Sequence, residues 1–316
     1  AGTLWHAGMA QILSLDSGLA FFLALGFATL VVAQERGRSA ESRRAWMWLG
    51  WAALAGATLS KGPIGVALPA GAVVAYCALC RDYALLRRLH ILSGGVIFLA
   101  LTAPWFVAVA RANGEFLSFF FVHEHLERFL TEEHRRVGAW WYFVPLALAG
   151  SLPWLAALAY GASRTWRDRA AGPGEFSWRR LALVWAAFVF LFFSASGSKL
   201  PSYILPMFAP LALVAADLLV TLPPTTLVRL TLPGAILTFL LAVAVFAGYD
   251  QVVDQLSGGP QPVEILAAFG PWLKGAVALA AAGALAAAFA FTRADAWPVA
   301  RFAGTTLLSL STLGAV

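Results

Sequence analysis

The sequence predicts an all-α protein, a polytopic bundle of transmembrane helices, on three observations. Of 316 residues, 60% are hydrophobic and only 12% charged, about half the charged share of an ordinary soluble domain, and the mean hydropathy is +0.77. The apolar residues gather in runs of about 20, the length that crosses a bilayer core of about 30 Å as a helix. The runs show no two-residue alternation, so helices, which satisfy their own backbone hydrogen bonds in lipid, are the structure expected. Two cysteines exclude a disulfide-stapled scaffold. No glycine-rich nucleotide loop, nucleophile elbow or basic-aromatic stripe is present, so no nucleic acid partner is expected.

In chain order the runs are 17–34, 45–60, 63–80, 89–110, 140–163, 181–196, 201–220, 227–249, 263–292 and 297–316, about nine or ten spans in a single domain, 1–316. The second is short and either crosses or re-enters with the third. Lysine and arginine in alternate short loops set the orientation. One set holds Arg36, Arg38, Arg43, Arg44, Arg81, Arg87, Arg88, Arg164, Arg167, Arg169, Arg179, Arg180, Arg229, Arg293 and Arg301; the other holds Lys61, Arg111, Arg128, Arg135, Arg136 and Lys199. The richer set is read as cytoplasmic, and that pattern holds only if 45–60 crosses. The first residue is Ala1, with no leader-like segment ahead of the spans, so the chain reads as part of a longer one, incomplete at both ends.

The outer face then collects Asp16, the turn 60–63, the segment 111–139 and the turn 196–201. In the long segment, Phe119, Val122, Leu126 and Phe129 recur at helical spacing, which predicts an interfacial amphipathic helix near 115–130. It pairs His123 with Glu127 and Glu124 with Arg128 four residues apart. One reading is interfacial ion pairing; the other is a divalent cation, zinc or similar, held by His123 while Arg128 receives an anionic headgroup. At the second turn Lys199 precedes a helix started by Pro201, with Tyr203 in its first turn, an arrangement that favours phosphate; Lys61-Gly62-Pro63 repeats it. Against this stands a lysine that merely snorkels to the interface. Asp16 either stabilises its helix dipole or orients a ligand. Cys77 and Cys80 read as small core residues, Asp217 and Lys274 as snorkelling charges, and 275–290 as a close-packing helix face.

Taken together, Leu-Ser-Leu-Asp16, Leu-Ser-Lys61-Gly-Pro-Ile-Gly-Val-Ala-Leu-Pro, Ala-Pro104-Trp, Phe-Phe-Phe-Val-His123-Glu-His-Leu-Glu-Arg128-Phe, Trp-Trp-Tyr142-Phe, Leu-Pro153-Trp and Phe-Ser-Ala-Ser-Gly-Ser-Lys199-Leu-Pro-Ser-Tyr203-Ile-Leu-Pro resemble bacterial lipid-sugar glycosyltransferases. The type is the aminoarabinose transferase, ArnT-like, a relative of protein O-mannosyltransferases in the GT-C superfamily; the resemblance runs over about 13–211. It implies an inverting transferase in the bacterial inner membrane, working on the periplasmic side. The donor would be a polyprenyl-phosphate-linked monosaccharide, the acceptor a lipid, glycan or protein, with lipid A modification as one such role. It further implies that Arg128 and Tyr203 hold the donor phosphate, joined by Lys199 and Lys61, that His123 is a metal ligand, and that Asp16 supports catalysis. Where the family often has histidine before the tyrosine, this chain has Ser202. The family's main catalytic aspartate lies in a first outer loop upstream of these residues, so the chain by itself is expected to be inactive. The rival readings are a transporter or flippase of lipid-linked glycans, and a non-catalytic membrane assembly subunit.

Overall fold

A computed structural model describes residues 9, 14–116, 138–167, 172, 174–256, 263–293, 303–308 and 310. They form helices, with no strand element among them: α1 (Leu15–Ala33), α2 (Ala40–Lys61), α3 (Ile64–Cys80), α4 (Ala84–Arg88), α5 (Ile91–Ala112), α6 (Phe143–Gly150), α7 (Leu155–Arg167), α8 (Trp178–Ala195), a 3₁₀ helix (Pro201–Met207), α9 (Phe208–Thr221), α10 (Pro224–Leu256) and α11 (Val263–Thr292). The chain divides into two compact units, one of Ile12–Ala147 and Arg164–Leu213, the other of Ala1–Gln11, Leu148–Ser163 and Val214–Val316.

In the first unit α1 and α2 lie antiparallel from end to end. Asp16 pairs with Lys61; a Cβ on Gly18 would meet Ser60 at 3.4 Å, one on Gly56 the Phe22 ring at 2.6 Å, and one on Gly50 the Thr29 hydroxyl at 2.8 Å. At the far end Arg43 Nε donates to the Ala33 carbonyl at 3.2 Å. Small residues at these positions let two backbones approach, the usual device of helix pairs in lipid. A helix lying along the whole of α1 crosses whatever α1 crosses, so 45–60 is a span and not a re-entrant loop. Ser39 caps it by accepting from the Ser42 amide, Glu41 sits in its first turn and Lys61 in its last, each charge favourable to the helix dipole.

The next turn is tight. Gly62 takes φ +80°, cheap only for glycine, and a Cβ on Gly65 would stand 2.6 Å from the backbone of Ala57 and Thr58. Helix α3 returns beside α8, where the Phe188 ring fills the space a Gly71 side chain would need, and Trp185 of α8 meets Phe27 of α1 edge-on at 5.4 Å. Helix α5 packs on α2 through Trp51, whose indole donates to the Leu89 carbonyl at 2.9 Å, and its other faces are largely exposed. Arg36 pairs with Glu175 at 3.1 Å, and Ser177 N donates to Tyr76 Oη at 2.8 Å. The arginine-rich turns therefore gather at the end of this unit opposite Asp16 and Lys61.

In the other unit α10 and α11 form an antiparallel pair. Val277, Ala280, Ala284, Ala287 and Phe291 are its buried stripe, so the expected small-residue face of 275–290 packs. Lys274 does more than snorkel, since its Nζ reaches Asp250 Oδ2 at 2.6 Å. The CxxC thiols, Cys77 and Cys80, are free and buried.

Six helices among the described residues are long and apolar enough to cross a membrane, or seven with one bent pair. Three points separate this number from the nine or ten runs of the sequence, and only the break within 140–163 is a correction. Helix α2 crosses but carries Glu41, Arg43 and Arg44 in its first turns, and α3 has only 17 residues. The run 140–163 is not one helix: α6 and α7 meet at a 99° bend, beyond Gly150 and at Pro153, which lacks the N–H a continuous helix would use. The run 297–316 lies largely outside the described residues.

Candidate functional site

Asp16, Lys61 and the 3₁₀ helix come from three separate stretches and meet at one end of the first unit. Asp16 is the second residue of α1. Its first-turn carboxylate suits the positive helix end, yet the side chain turns to its neighbours: Oδ1 pairs with Lys61 Nζ, and Oδ2 accepts from Ser202 Oγ at 2.6 Å. The residue is 6% exposed, and a carboxylate so buried needs both partners. Asp16 thus serves the helix dipole and joins the site at once.

Lys61 ends α2, where Gly62 turns the chain and leaves its side chain facing α1. Its ammonium also lies 4.3 Å from the centroid of the Tyr203 ring, a cation–π distance. Tyr203 is 8% exposed and leans on Phe193 of α8 with ring centroids 5.0 Å apart. Asp16, Lys61, Ser202 and Tyr203 therefore form one continuous polar cluster walled by aromatic rings.

Lys199 is placed differently from the sequence expectation. Its Nζ donates to the carbonyls of Phe193, Ser194 and Ser196 at 3.4, 2.8 and 2.9 Å, the unsatisfied end of α8. It lies 5.6 Å from the centroid of the Phe143 ring, and Gly138 makes room for its stem, since a Cβ there would be 2.9 Å from Lys199 Cδ. The side chain is 6% exposed, and burial draws its pKa below the usual 10.5, because a desolvated ammonium loses hydration that carbonyls only partly replace. Lys199 closes the C-terminus of α8 and fixes the turn that delivers Ser202 and Tyr203; its protons are directed at carbonyls and not into the cluster.

His123, Arg128 and, from residue 117 on, the interfacial helix expected near 115–130 lie outside the described residues. Ser202 is the partner that sequence reasoning passed over. Its only signal was its place beside Tyr203 in the Lys-Leu-Pro turn, and nothing in the local pattern said that the turn would reach Asp16, 186 residues away. Among the described residues no group of three or more His, Cys, Asp and Glu side chains converges to hold a metal.

Residues 4–126 match the family model for dolichyl-phosphate-mannose-protein mannosyltransferase. An undecaprenyl phosphate-alpha-4-amino-4-deoxy-L-arabinose arabinosyl transferase from Erwinia tasmaniensis is 32% identical over 212 residues, 66% of this chain and 37% of the relative. A transferase of the same description from Edwardsiella ictaluri is 36% identical over 161 residues, 50% of this chain and 28% of the relative. The crystal structure of ArnT from Cupriavidus metallidurans bound to undecaprenyl phosphate superposes with a TM-score of 0.82 at 32% identity, over 99% of this chain and 56% of that one. The same enzyme in the apo state gives 0.80. The chain thus spans about a third of the curated relatives it matches and little more than half of the solved one.

Proposed function

The chain belongs to the ArnT-like family of GT-C membrane glycosyltransferases, and from that premise we propose that it forms the membrane core of an inverting transferase. It would move a monosaccharide from a polyprenyl-phosphate donor to a lipid, glycan or protein acceptor on the periplasmic side of the bacterial inner membrane. The observation that carries the reading is the meeting of Asp16, Lys61, Ser202 and Tyr203, at the end of the unit away from the arginine-rich turns.

In such a transfer the acceptor oxygen attacks the anomeric carbon from the face opposite the phosphate. The bonding pair leaves with polyprenyl phosphate, whose negative charge rises from one to two. Groups that meet this growing charge lower the barrier more than they tighten the ground state. Arg128 supplies a guanidinium, Tyr203 a phenol and Lys61 an ammonium already anchored by Asp16, so that little reorganisation accompanies charge development. Lys199 enters this scheme as the brace of the Tyr203 turn. Asp16, committed to Lys61 and Ser202, orders the cluster; we assign the acceptor's proton to none of the described residues. His123 would give one imidazole ligand to a divalent cation that neutralises phosphate charge.

The test is donor use by the complete protein. Arg128→Ala should raise the barrier by about 2–4 kcal/mol, a loss of roughly thirtyfold to nearly a thousandfold. Tyr203→Phe should weaken donor binding with helix content unchanged, and chelation should lower activity if His123 holds a metal. Wild-type donor kinetics in both variants would remove the phosphate assignment.

A further inference from the structure

The unit that carries the site has a second cavity toward its opposite end. A slot of about 230 Å³ runs between α1, α2, α3 and α5, lined by side chains without a single charge. Its floor is buried, with Trp185 only 2% exposed and Leu30 and Met47 beside it; its mouth is open, with Val74 61% exposed next to Leu86 and Ile91. The indole of Trp51, tied to the Leu89 carbonyl at 2.9 Å, holds one rim in place.

An apolar slot within a bilayer does not stay empty. Its lining would forfeit dispersion contacts, and water, which needs two or more polar partners, would find one unpartnered side-chain group at most, the Trp185 indole N–H. Hydrocarbon is the natural filling, and two observations decide which. Gly26 and Leu30 lie about 15 and 21 Å beyond Asp16 along α1, so the slot belongs to the leaflet of the arginine-rich turns. Toward the arginine-rich end from the slot, Arg87 stands in α4 between the lining residues Leu86 and Leu89, and Arg44 lies one helical turn before the lining residue Met47, its guanidinium carbon 5.2 Å from the Trp48 ring centroid. Both arginines are exposed. Their neighbours are spent: Arg88 binds the buried Asp82 at 2.9 Å, and Arg43 binds the Ala33 carbonyl. Among the described residues, Arg44 and Arg87 form no ion pair with a carboxylate.

We propose that this slot takes one acyl chain of an anionic glycerophospholipid from the cytoplasmic leaflet, whose headgroup phosphate meets Arg44 and Arg87. The site is separate from the donor cluster and independent of the transferase reading. It would seat the lipid against α3 and against α1 and α2, the two helices that carry Asp16 and Lys61 at their other ends.

The experiment uses the full chain in a non-ionic detergent, offered phosphatidylglycerol, phosphatidylcholine or undecaprenyl phosphate. Bound lipid is read by native mass spectrometry and Tm by thermal unfolding. Phosphatidylglycerol should be retained over phosphatidylcholine and should raise Tm. The pair R44Q and R87Q should reduce that retention by roughly fivefold per arginine. Ala70→Phe or Val74→Phe, each filling the mouth, should abolish it while Tm in phosphatidylcholine holds. Equal retention of the two phospholipids overturns the proposal. So does retention that survives the filling variants, which would mean surface charge alone. Displacement of phosphatidylglycerol from the wild type by an equal concentration of undecaprenyl phosphate also overturns it, since the occupant would then be a polyprenyl tail. If both filling variants misfold, the arginine pair still decides.

Discussion

Lys61 balances two demands, neutralising a buried carboxylate and lying over the face of Tyr203. Removing it leaves Asp16 buried beside Ser202 with an uncompensated charge, which costs more than the ion pair itself contributes. Lys61→Met is therefore expected to destabilise the chain by about 3 kcal/mol, and Asp16→Asn in the same chain should restore much of that loss, because an amide can keep the Ser202 hydrogen bond without needing a cation. Thermal unfolding of the single and double variants in detergent measures the coupling; equal Tm losses that simply add would show that the two residues act separately. Lys199 makes the contrast. Its three carbonyl partners sit on its own side of the turn, within six residues. The sequence showed two lysines before two prolines and invited one reading for both. The difference lies in what each faces: the end of α8 offers Lys199 unsatisfied carbonyls, whereas Lys61 ends its helix opposite a carboxylate brought by α1. No spacing in the chain encodes that difference.

The hairpin of α2 and α3 sets where Lys61 stands. Gly65 has the α2 backbone 2.6 Å from where a Cβ would be, and backbone, unlike a side-chain tip, cannot step aside. Gly65→Ala must push the two helices apart, at an expected cost of about 1–3 kcal/mol, and should loosen the Asp16 and Tyr203 contacts together. The measurement is Tm alongside undecaprenyl phosphate binding; a variant with wild-type values for both would show that the turn has slack. Gly95, with open space around it, supplies the control, since Gly95→Ala within α5 should be neutral or slightly stabilising. The sequence reported the hairpin's existence through Lys61-Gly62-Pro63 and the length of its arms. It could not report the break between α6 and α7, because hydropathy averaged over 140–163 stays high across Ser151 and Pro153. It also understated α2, whose glycines, alanines and tryptophans read as weakly apolar although they are what close packing against α1 requires.

At the scale of the whole molecule the charge pattern and the packing make one statement. Helix α1 has Asp16 in its first turn and ends before Arg36; α2 carries Arg43 and Arg44 near its start and runs back to Lys61; α3 ends just before Arg81; α8 has Arg179 and Arg180 in its first turn and ends before Lys199. Arg36, Arg43, Arg44, Arg81, Arg179 and Arg180 thus stand at one end of this unit and the cluster of Asp16, Lys61, Ser202 and Tyr203 at the other, as basic loops retained on the cytoplasmic side require. Helicity, the positions of most spans and the sidedness of the loops were legible because each depends on local composition, whereas the Asp16–Ser202 contact depends on closing a loop of most of the chain. Sidedness can be read with two cysteines. Gly114 follows α5 at the end predicted to face outward, and Gly172 precedes α8 at the inward end; a Cβ at either meets nothing within 4 Å, so neither substitution disturbs packing. Both native thiols are buried and give little background. With a membrane-impermeant maleimide on intact spheroplasts, Gly114→Cys should label and Gly172→Cys should label only after lysis. The reverse pattern would invert the chain. Lys61 and Tyr203 would then face the cytoplasm, the slot lined by Leu30 and Met47 would face the other leaflet, and both the donor assignment and the lipid assignment would fail together.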